Sequence, residues 1–362
     1  MRIFFPNASI LYPPRDGPHV HQFQLIKNLI DLGHEFVTFE PDENPLVTVR
    51  PKSPNWLFKA VRWADVIYCR TNEGLNAATR LTAPWHRLLI PRRTAVVWQM
   101  DLDIQLTVSN APRSPAKIKQ DIRALRQRAK RVDAAIGVSR KIADGARDWL
   151  GIEHVIALQN GSDPQQFNPD IEPIQGLNKG PDKLNVIWIG SHSNAIHDAQ
   201  LIQGLCAKID QQRLPIQVHV VGRTAELFTQ PYPTGLVMHG PVSYMELPKY
   251  LAAMDVGLAV YNIRYDGGSP LKLFDYLASG CVPICSPGDT MDEVLADQNA
   301  GYVGQWTAES LADQLMTLHR DRGLLARRSA NGRKLIEKTY NWRAIAEKTQ
   351  QIIQQALKRR RG

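Results

Sequence analysis

The chain has 362 residues, 43% hydrophobic and 22% charged, with 24 Gly and 24 Pro; at roughly 150 residues per domain its length predicts two buried cores, and the composition excludes a disordered, collagenous or disulfide-dense protein. Prolines 6, 13 and 14 interrupt the start before an apolar core of signal-peptide length forms, no run approaches the roughly 18 apolar residues that span a bilayer, and Cys69, Cys206, Cys281 and Cys285 have neither zinc spacing nor a secreted framework, so a reduced, cytoplasmic protein is expected. The net charge of +9 is local: residues 113–131 carry +7 and the tail 358–361 carries +4, which leaves the rest slightly acidic and marks two candidate interaction surfaces.

Short Val/Ile/aromatic runs alternate with helical patterns, the texture of a parallel sheet covered on both faces. Strands are predicted at Arg2–Phe5, His34–Phe39, Asp65–Arg70, Ala95–Met100, Ala134–Val138 and Val155–Leu158, with a helix from His21 to Gly33 between the first two. A basic helix over 115–131 carries Ile118, Ile122, Leu125 and Ala129 on one stripe. Residues 160–183 hold four prolines and little periodicity, so the interdomain linker is placed in their middle. A second series follows: Val186–Ile189, Gln217–Val221, Val237–His239, Gly257–Tyr261, Val282–Cys285 and Tyr302–Val303. The last pattern, Trp342 to Leu357, predicts a docked helix with only its basic end free. The expected division is 1–168 and 176–342, with 343–362 crossing back to the first domain.

The segment YDGGSPLKLFDYLASGCVPICS, 265–286, carries the most chemistry. Gly267 and Gly268 permit a tight turn, Ser269 suits an N-cap and Pro270 the first helical position, with the helix running to Ser279 and Gly280 just past its end. Lys272 then lies in the first turn, against the helix dipole, where a bound phosphate relieves it. Asp275, one turn further, can accept from a sugar diol. The same residues also suit a plain turn-to-helix start with Lys272 reaching into water, and spacing does not separate the two.

This segment resembles the donor-binding signature of GT-B glycosyltransferases, in particular the retaining family 4 type, in which two acidic residues flank seven others. Asp275 matches the second acidic residue, which implies a ribose contact; the first falls on Gly267, beside Asp266. The stretches 16–36, 138–169, 186–190, 218–223, 239–261 and 341–348 resemble the same family in the same order. The resemblance implies an α/β fold of two Rossmann-like doubly wound parallel-sheet domains facing across a cleft. It implies a nucleotide-diphosphate sugar as donor substrate, no separate cofactor, no metal, and transfer of a hexose with retention. Donor-binding positions by this resemblance are Gly17, Gly190, Ser191, Arg223, Gly268, Ser269, Pro270, Leu271, Lys272 and Asp275. Lys272 and the helix dipole would stabilise the leaving diphosphate.

Two departures matter. Relatives place an Arg directly after the Gly190 position and a Lys soon after; here the loop offers Ser191, His192, Ser193, Asn194 and His197. Phosphate charge then rests on backbone N–H groups, Lys272 and Arg223. The stretch WQMDLDIQ ends a strand, where open α/β sheets bind ligands; Asp101 and Asp103 alternate across it, and either can orient an acceptor hydroxyl, take its proton or cap the next helix. Asp101 is taken as the catalytic candidate with Lys272. The basic helix and tail suit an anionic membrane surface and a lipid-linked or cell-envelope acceptor. Nucleic acid is the competing partner, although no aromatic residue interleaves with the cations. A soluble acceptor, or glycan binding without turnover, are the other readings.

Overall fold

The computed structural model describes residues 1–6, 12–39, 46–50, 53–71, 81–83, 86–101, 114–191 and 196–362. They divide into two units: unit 1 is Met1–Asn160, Gly267–Ser269 and Trp342–Gly362, and unit 2 is Gly161–Asp266 and Pro270–Asn341.

Unit 1 is a parallel sheet of β1 (Arg2–Phe5), β2 (Glu35–Thr38), β3 (Thr48–Val49), β4 (Val66–Thr71), β5 (Ala95–Met100), β6 (Ala134–Gly137) and β7 (Val155–Ala157), in the order β3-β2-β1-β4-β5-β6-β7. Every residue of β4 and β5 is buried, as continuous apolar strands covered on both faces should be. Its helices include α1 (Gly17–Asp31), α2 (Pro54–Trp63), α3 (Pro115–Ala129) and α4 (Arg140–Leu150). Helix α1 starts at Gly17, four residues before the predicted His21. The Asp16 carboxylate accepts from the His19 N–H at 3.1 Å and Pro18 sits in the first turn, a start that apolar spacing does not register. Its end is as read: Gly33 adopts φ +84°, a conformation that favours glycine.

Unit 2 is a second parallel sheet, β8 (Leu184–Ile189), β9 (Ile216–Val221), β10 (Leu236–Gly240), β11 (Val256–Ala259), β12 (Val282–Cys285) and β13 (Tyr302–Val303), in the order β10-β9-β8-β11-β12-β13. Around it lie α5 (Ala199–Gln212), α6 (Leu247–Ala252), α7 (Leu271–Ala278), α8 (Asp289–Leu295), α9 (Ala308–Arg320) and α10 (Arg322–Lys338). The Pro-rich stretch after Asn160 packs within this unit: Phe167 is fully buried, and Arg333 donates to the carbonyls of Pro164, Phe167 and Ala278 at 2.9, 2.7 and 2.6 Å.

The final helix, α11 (Trp342–Arg361), belongs to unit 1 and buries Trp342, Ile345, Ala346, Ile353 and Ala356 along one face. The basic end expected to be free is helical and docked. Arg360 pairs with Asp133 at 2.6 Å, Arg359 donates to the Asp133 carbonyl at 3.1 Å, and Arg361 lies 3.9 Å from Asp65. Asp65 and Asp133 precede β4 and β6, so the arginines meet carboxylates at the amino ends of those strands while also complementing the negative helix end. Arg131 is likewise removed from the basic surface: it is buried, 3.0 Å from Asp133, and donates to the Thr94 carbonyl at 2.8 Å. All four cysteines are buried. No helix among the described residues is long and apolar enough to cross a membrane.

In both sheets the chain runs outward in one direction and then restarts in the other. The reversal falls between β1 and β4 in unit 1 and between β8 and β11 in unit 2. Open α/β sheets bind ligands outside the carboxyl ends of strands at this point.

Candidate active site

At the switch point of unit 2 the backbone is bare. A Cβ on Gly190 would lie 2.6 Å from the Trp188 ring, and one on Gly222, at φ +121°, would lie 2.0 Å from the Gly190 carbonyl oxygen. The loops leaving β8 and β9 therefore meet backbone to backbone, and only glycine fits at either place. The Gly190 N–H donates to the Val221 carbonyl at 3.0 Å. Ser191 follows, and Arg223 is exposed just beyond Gly222.

Helix α7 supplies the cation. Gly267 turns at φ +77°, but the helix begins at Leu271 after Pro270, and no side chain caps it. Ser269, expected as the cap, is engaged elsewhere: its Oγ accepts from the Asn160 N–H at 2.9 Å and its carbonyl accepts from the Asn160 side chain at 2.6 Å. Ser269 and Gly268 are buried with unit 1. Lys272 turns inward, and its Nζ donates to the Ile189 carbonyl at 2.6 Å, lies 3.3 Å from His197 Nε2 and stands 5.3 Å from the Tyr261 ring centre. Tyr261 stacks on Tyr265 at 4.6 Å, and His197 packs against Trp188. No carboxylate among the described residues pairs with Lys272. Desolvation pushes its pKa down to about 7.

His197 accepts from the Ser191 N–H through Nδ1 at 3.0 Å. Burial, and then the neighbouring Lys272, push its pKa down to about 3, so the ring is neutral. Asp275 is 3% exposed; one carboxyl oxygen accepts from Ser162 Oγ at 2.6 Å, and burial pushes its pKa up to about 8. The carboxyl proposed from sequence for a diol is thus held inside unit 2 by a hydroxyl, in a dry setting that favours its neutral form.

Unit 1 is arranged differently at its strand ends. Asp101, just past β5, forms an ion pair with Arg70 near the end of β4 and accepts from the Gln99 side chain at 3.3 Å. His21 on α1 is buried, bonded to Asn160 at 2.6 Å and packed edge-on against Trp342, and burial lowers its pKa. Gly17 is exposed at the start of α1. Asp103, His192, Ser193 and Asn194 lie outside the described residues.

Of the sequence-selected residues, the structure brings Gly190, Ser191 and Lys272 together. Tyr261 was not selected, and His197 was noted only as a loop residue. The missed signal for His21 and Arg70 was a polar residue inside an otherwise apolar pattern. Among the described residues no group of three His, Cys, Asp or Glu side chains is placed to hold a metal ion.

Residues 200–351 match a family model described as glycosyl transferase-like. No curated protein matches the chain. Solved structures match over nearly its whole length. Sucrose-phosphate synthase from Thermosynechococcus elongatus is 17% identical with a TM-score of 0.72, covering 99% of each chain. Anabaena HepE in complex with UDP is 14% identical with a TM-score of 0.70, covering 98% of this chain and 99% of that one. WaaG, a glycosyltransferase involved in lipopolysaccharide biosynthesis, is 15% identical with a TM-score of 0.64, covering 97% and 99%.

Proposed function

The chain has the GT-B glycosyltransferase fold and carries a glycosyl transferase-like domain over residues 200–351, and from that premise we propose that it moves a hexose, with retention, from a nucleotide-diphosphate sugar to an acceptor hydroxyl. The observation that carries the reading is Lys272: an inward-turned lysine without a carboxylate partner among the described residues, at the sheet's switch point, beside the bare backbone of Gly190 and Gly222. Close backbone approach and a cation are what a diphosphate requires. Lys272 and the start of α7 would stabilise charge as it develops on the leaving diphosphate, with Arg223 as a second cation. Retention then needs no side-chain nucleophile if the leaving phosphate assists on the same face. Asp101 would orient the acceptor hydroxyl from unit 1.

The acceptor in this reading is a lipid-linked or cell-envelope glycan, met at the inner face of a membrane. Helix α3 supports it: Leu125 and Ala129 pack into the core, whereas Lys119, Arg123, Arg126 and Lys130 are exposed. WaaG, a structural neighbour, acts in lipopolysaccharide biosynthesis. The direct test is thermal stability of the protein with UDP-, GDP- and ADP-glucose, since a ligand present at 100 times its Kd raises stability by about 2.7 kcal/mol. UDP-glucose comes first, because a HepE structure holds it. A shift with one nucleotide sugar, followed by release of the matching diphosphate, is the expected result.

A further inference from the structure

Resting on the donor-site reading above, we propose that His197 holds Lys272 as a neutral amine in the ligand-free protein, so that binding of a nucleoside diphosphate draws one proton from solvent onto Nζ. The argument is one of donors and acceptors. A backbone N–H only donates, so the 3.0 Å contact from Ser191 leaves His197 Nδ1 as an unprotonated acceptor. A neutral imidazole must then carry its proton on Nε2, which points at Lys272 Nζ 3.3 Å away. An ammonium and an Nε2–H are both donors and repel. The contact becomes a hydrogen bond when Nζ offers a lone pair, while one of its own N–H groups donates to the Ile189 carbonyl at 2.6 Å.

The surroundings agree. Among the described residues, those facing Nζ are His197 from the loop before α5, the Tyr261 ring after β11 with Tyr265 stacked behind it, and the Cys285 thiol at the end of β12. Burial raises the pKa of both phenols and of the thiol, so none supplies a negative charge near neutral pH. Asp275, on the same helix, is bonded to Ser162. Among the described residues the Ile189 carbonyl and the face of Tyr261 favour the ammonium, and no carboxylate does. A diphosphate supplies the missing acceptor and counter-charge. The proton it recruits lands on Nζ, and His197 is left as the positioning residue that sets the starting state. Where relatives carry a permanently charged Arg in this loop, the departure to Ser191 and His197 makes phosphate recognition dependent on pH.

The experiment is NMR of the full chain with its lysines labelled at Cε, the Lys272 signal being assigned by its loss in Lys272→Arg. In the ligand-free protein the signal is expected to titrate near 7, against about 10.4 for an ordinary lysine. UDP added at about pH 8, above a phosphate's second pKa of about 6, should return the signal to its charged position. Calorimetry in buffers of different ionisation enthalpy should then register uptake of nearly one proton, with affinity falling about tenfold per pH unit above neutrality. His197→Gln, which can turn a carbonyl toward Nζ, should raise the midpoint by about one unit or more and reduce the uptake. A merely structural role for His197 would not move either readout. A ligand-free midpoint near 10, or binding heats independent of buffer, overturns the proton linkage while leaving the donor site standing. A signal that titrates near 7 yet ignores UDP, GDP and ADP overturns the diphosphate coupling together with the donor-site reading.

Discussion

The strand ends of the two units hold opposite electrostatic arrangements. In unit 1 the cation and anion are already matched, Arg70 against Asp101, with side chains only 8% and 12% exposed. In unit 2 Lys272 has carbonyl, imidazole and aromatic neighbours but, among the described residues, no carboxylate, and the nearest acidic residue on its helix, Asp275, favours its neutral form. A closed pair offers a hydrogen-bonding surface for a neutral ligand such as a sugar hydroxyl. On the function proposed above, the lysine of unit 2 is the group that meets an anionic ligand. Past similarly ordered strands the two units thus place a matched ion pair in one and, among the described residues, a lysine without a carboxylate in the other, a difference made by a few side chains.

Removing Lys272 breaks this contrast most directly. Lys272→Met should lower turnover by about 10²–10³, the cost of losing a group aimed at developing charge, while leaving affinity for the bare nucleoside nearly unchanged. Steady-state kinetics beside calorimetry with uridine and UDP checks it. Equal losses for nucleoside and diphosphate would place Lys272 away from the phosphates.

The matched pair in unit 1 is tested through stability. Arg70→Ala strands the Asp101 carboxylate in a nearly closed site and should destabilise by about 3 kcal/mol in urea denaturation. Arg70→Met combined with Asp101→Leu should cost much less, because neither charge is left uncompensated. If the double variant is as damaged as the single one, the pair acts through shape and not through charge balance.

Asp275 sharpens the comparison on the side of unit 2. Its pKa is pushed up to about 8 by burial, whereas an unfolded Asp titrates near 3.9. Between those values the folded state binds the extra proton, so stability falls as pH rises, by up to about 1.4 kcal/mol per pH unit from this group alone. Asp275→Asn keeps the shape and removes the titration. Denaturation midpoints followed from about pH 4 to 8 should decline less steeply in the variant than in the wild type. Parallel profiles would mean that Asp275 ionises in the folded protein.

Much of the scaffold was legible because most strands are short runs dominated by apolar residues in an alternating α/β order, even where Arg70, Gln99, Asn185 or His219 interrupts one. Gly190 and Gly222, within 186–190 and 218–223, stood out only through the family resemblance, and their close backbone approach comes from the tertiary pairing of their strands. What local pattern does not carry is where a polar group finds its partner. Ser269 looked like a helix cap, yet its oxygen is bonded to Asn160, 109 residues away. The tail looked free because Asp65 and Asp133, its partners, are hundreds of residues earlier. Lys272 read equally well as a phosphate ligand or a solvated side chain, and only the Ile189 carbonyl and His197 ring, brought in by the tertiary fold, turn it inward.

The smallest effect concerns charge on unit 1 outside its strand ends. With Arg131 buried on Asp133 and the α11 arginines docked on Asp133 and Asp65, α3 carries the basic surface that those segments share in the sequence. Reversing Lys119, Arg123, Arg126 and Lys130 to Glu leaves Leu125 and Ala129 in the core, so the fold and transfer to a short soluble acceptor should survive. Each cation near an anionic leaflet contributes about 1 kcal/mol, and co-sedimentation with phosphatidylserine vesicles should be lost in the variant. In the wild type it should weaken as salt shortens the screening length below about 10 Å. Reversing the α11 arginines instead should lower stability before it changes vesicle binding, because their charge is already spent on Asp65 and Asp133. If the α3 variant sediments as well as the wild type, the acceptor need not lie at a membrane; if the wild type binds RNA or DNA but no vesicle, the basic face serves a nucleic acid.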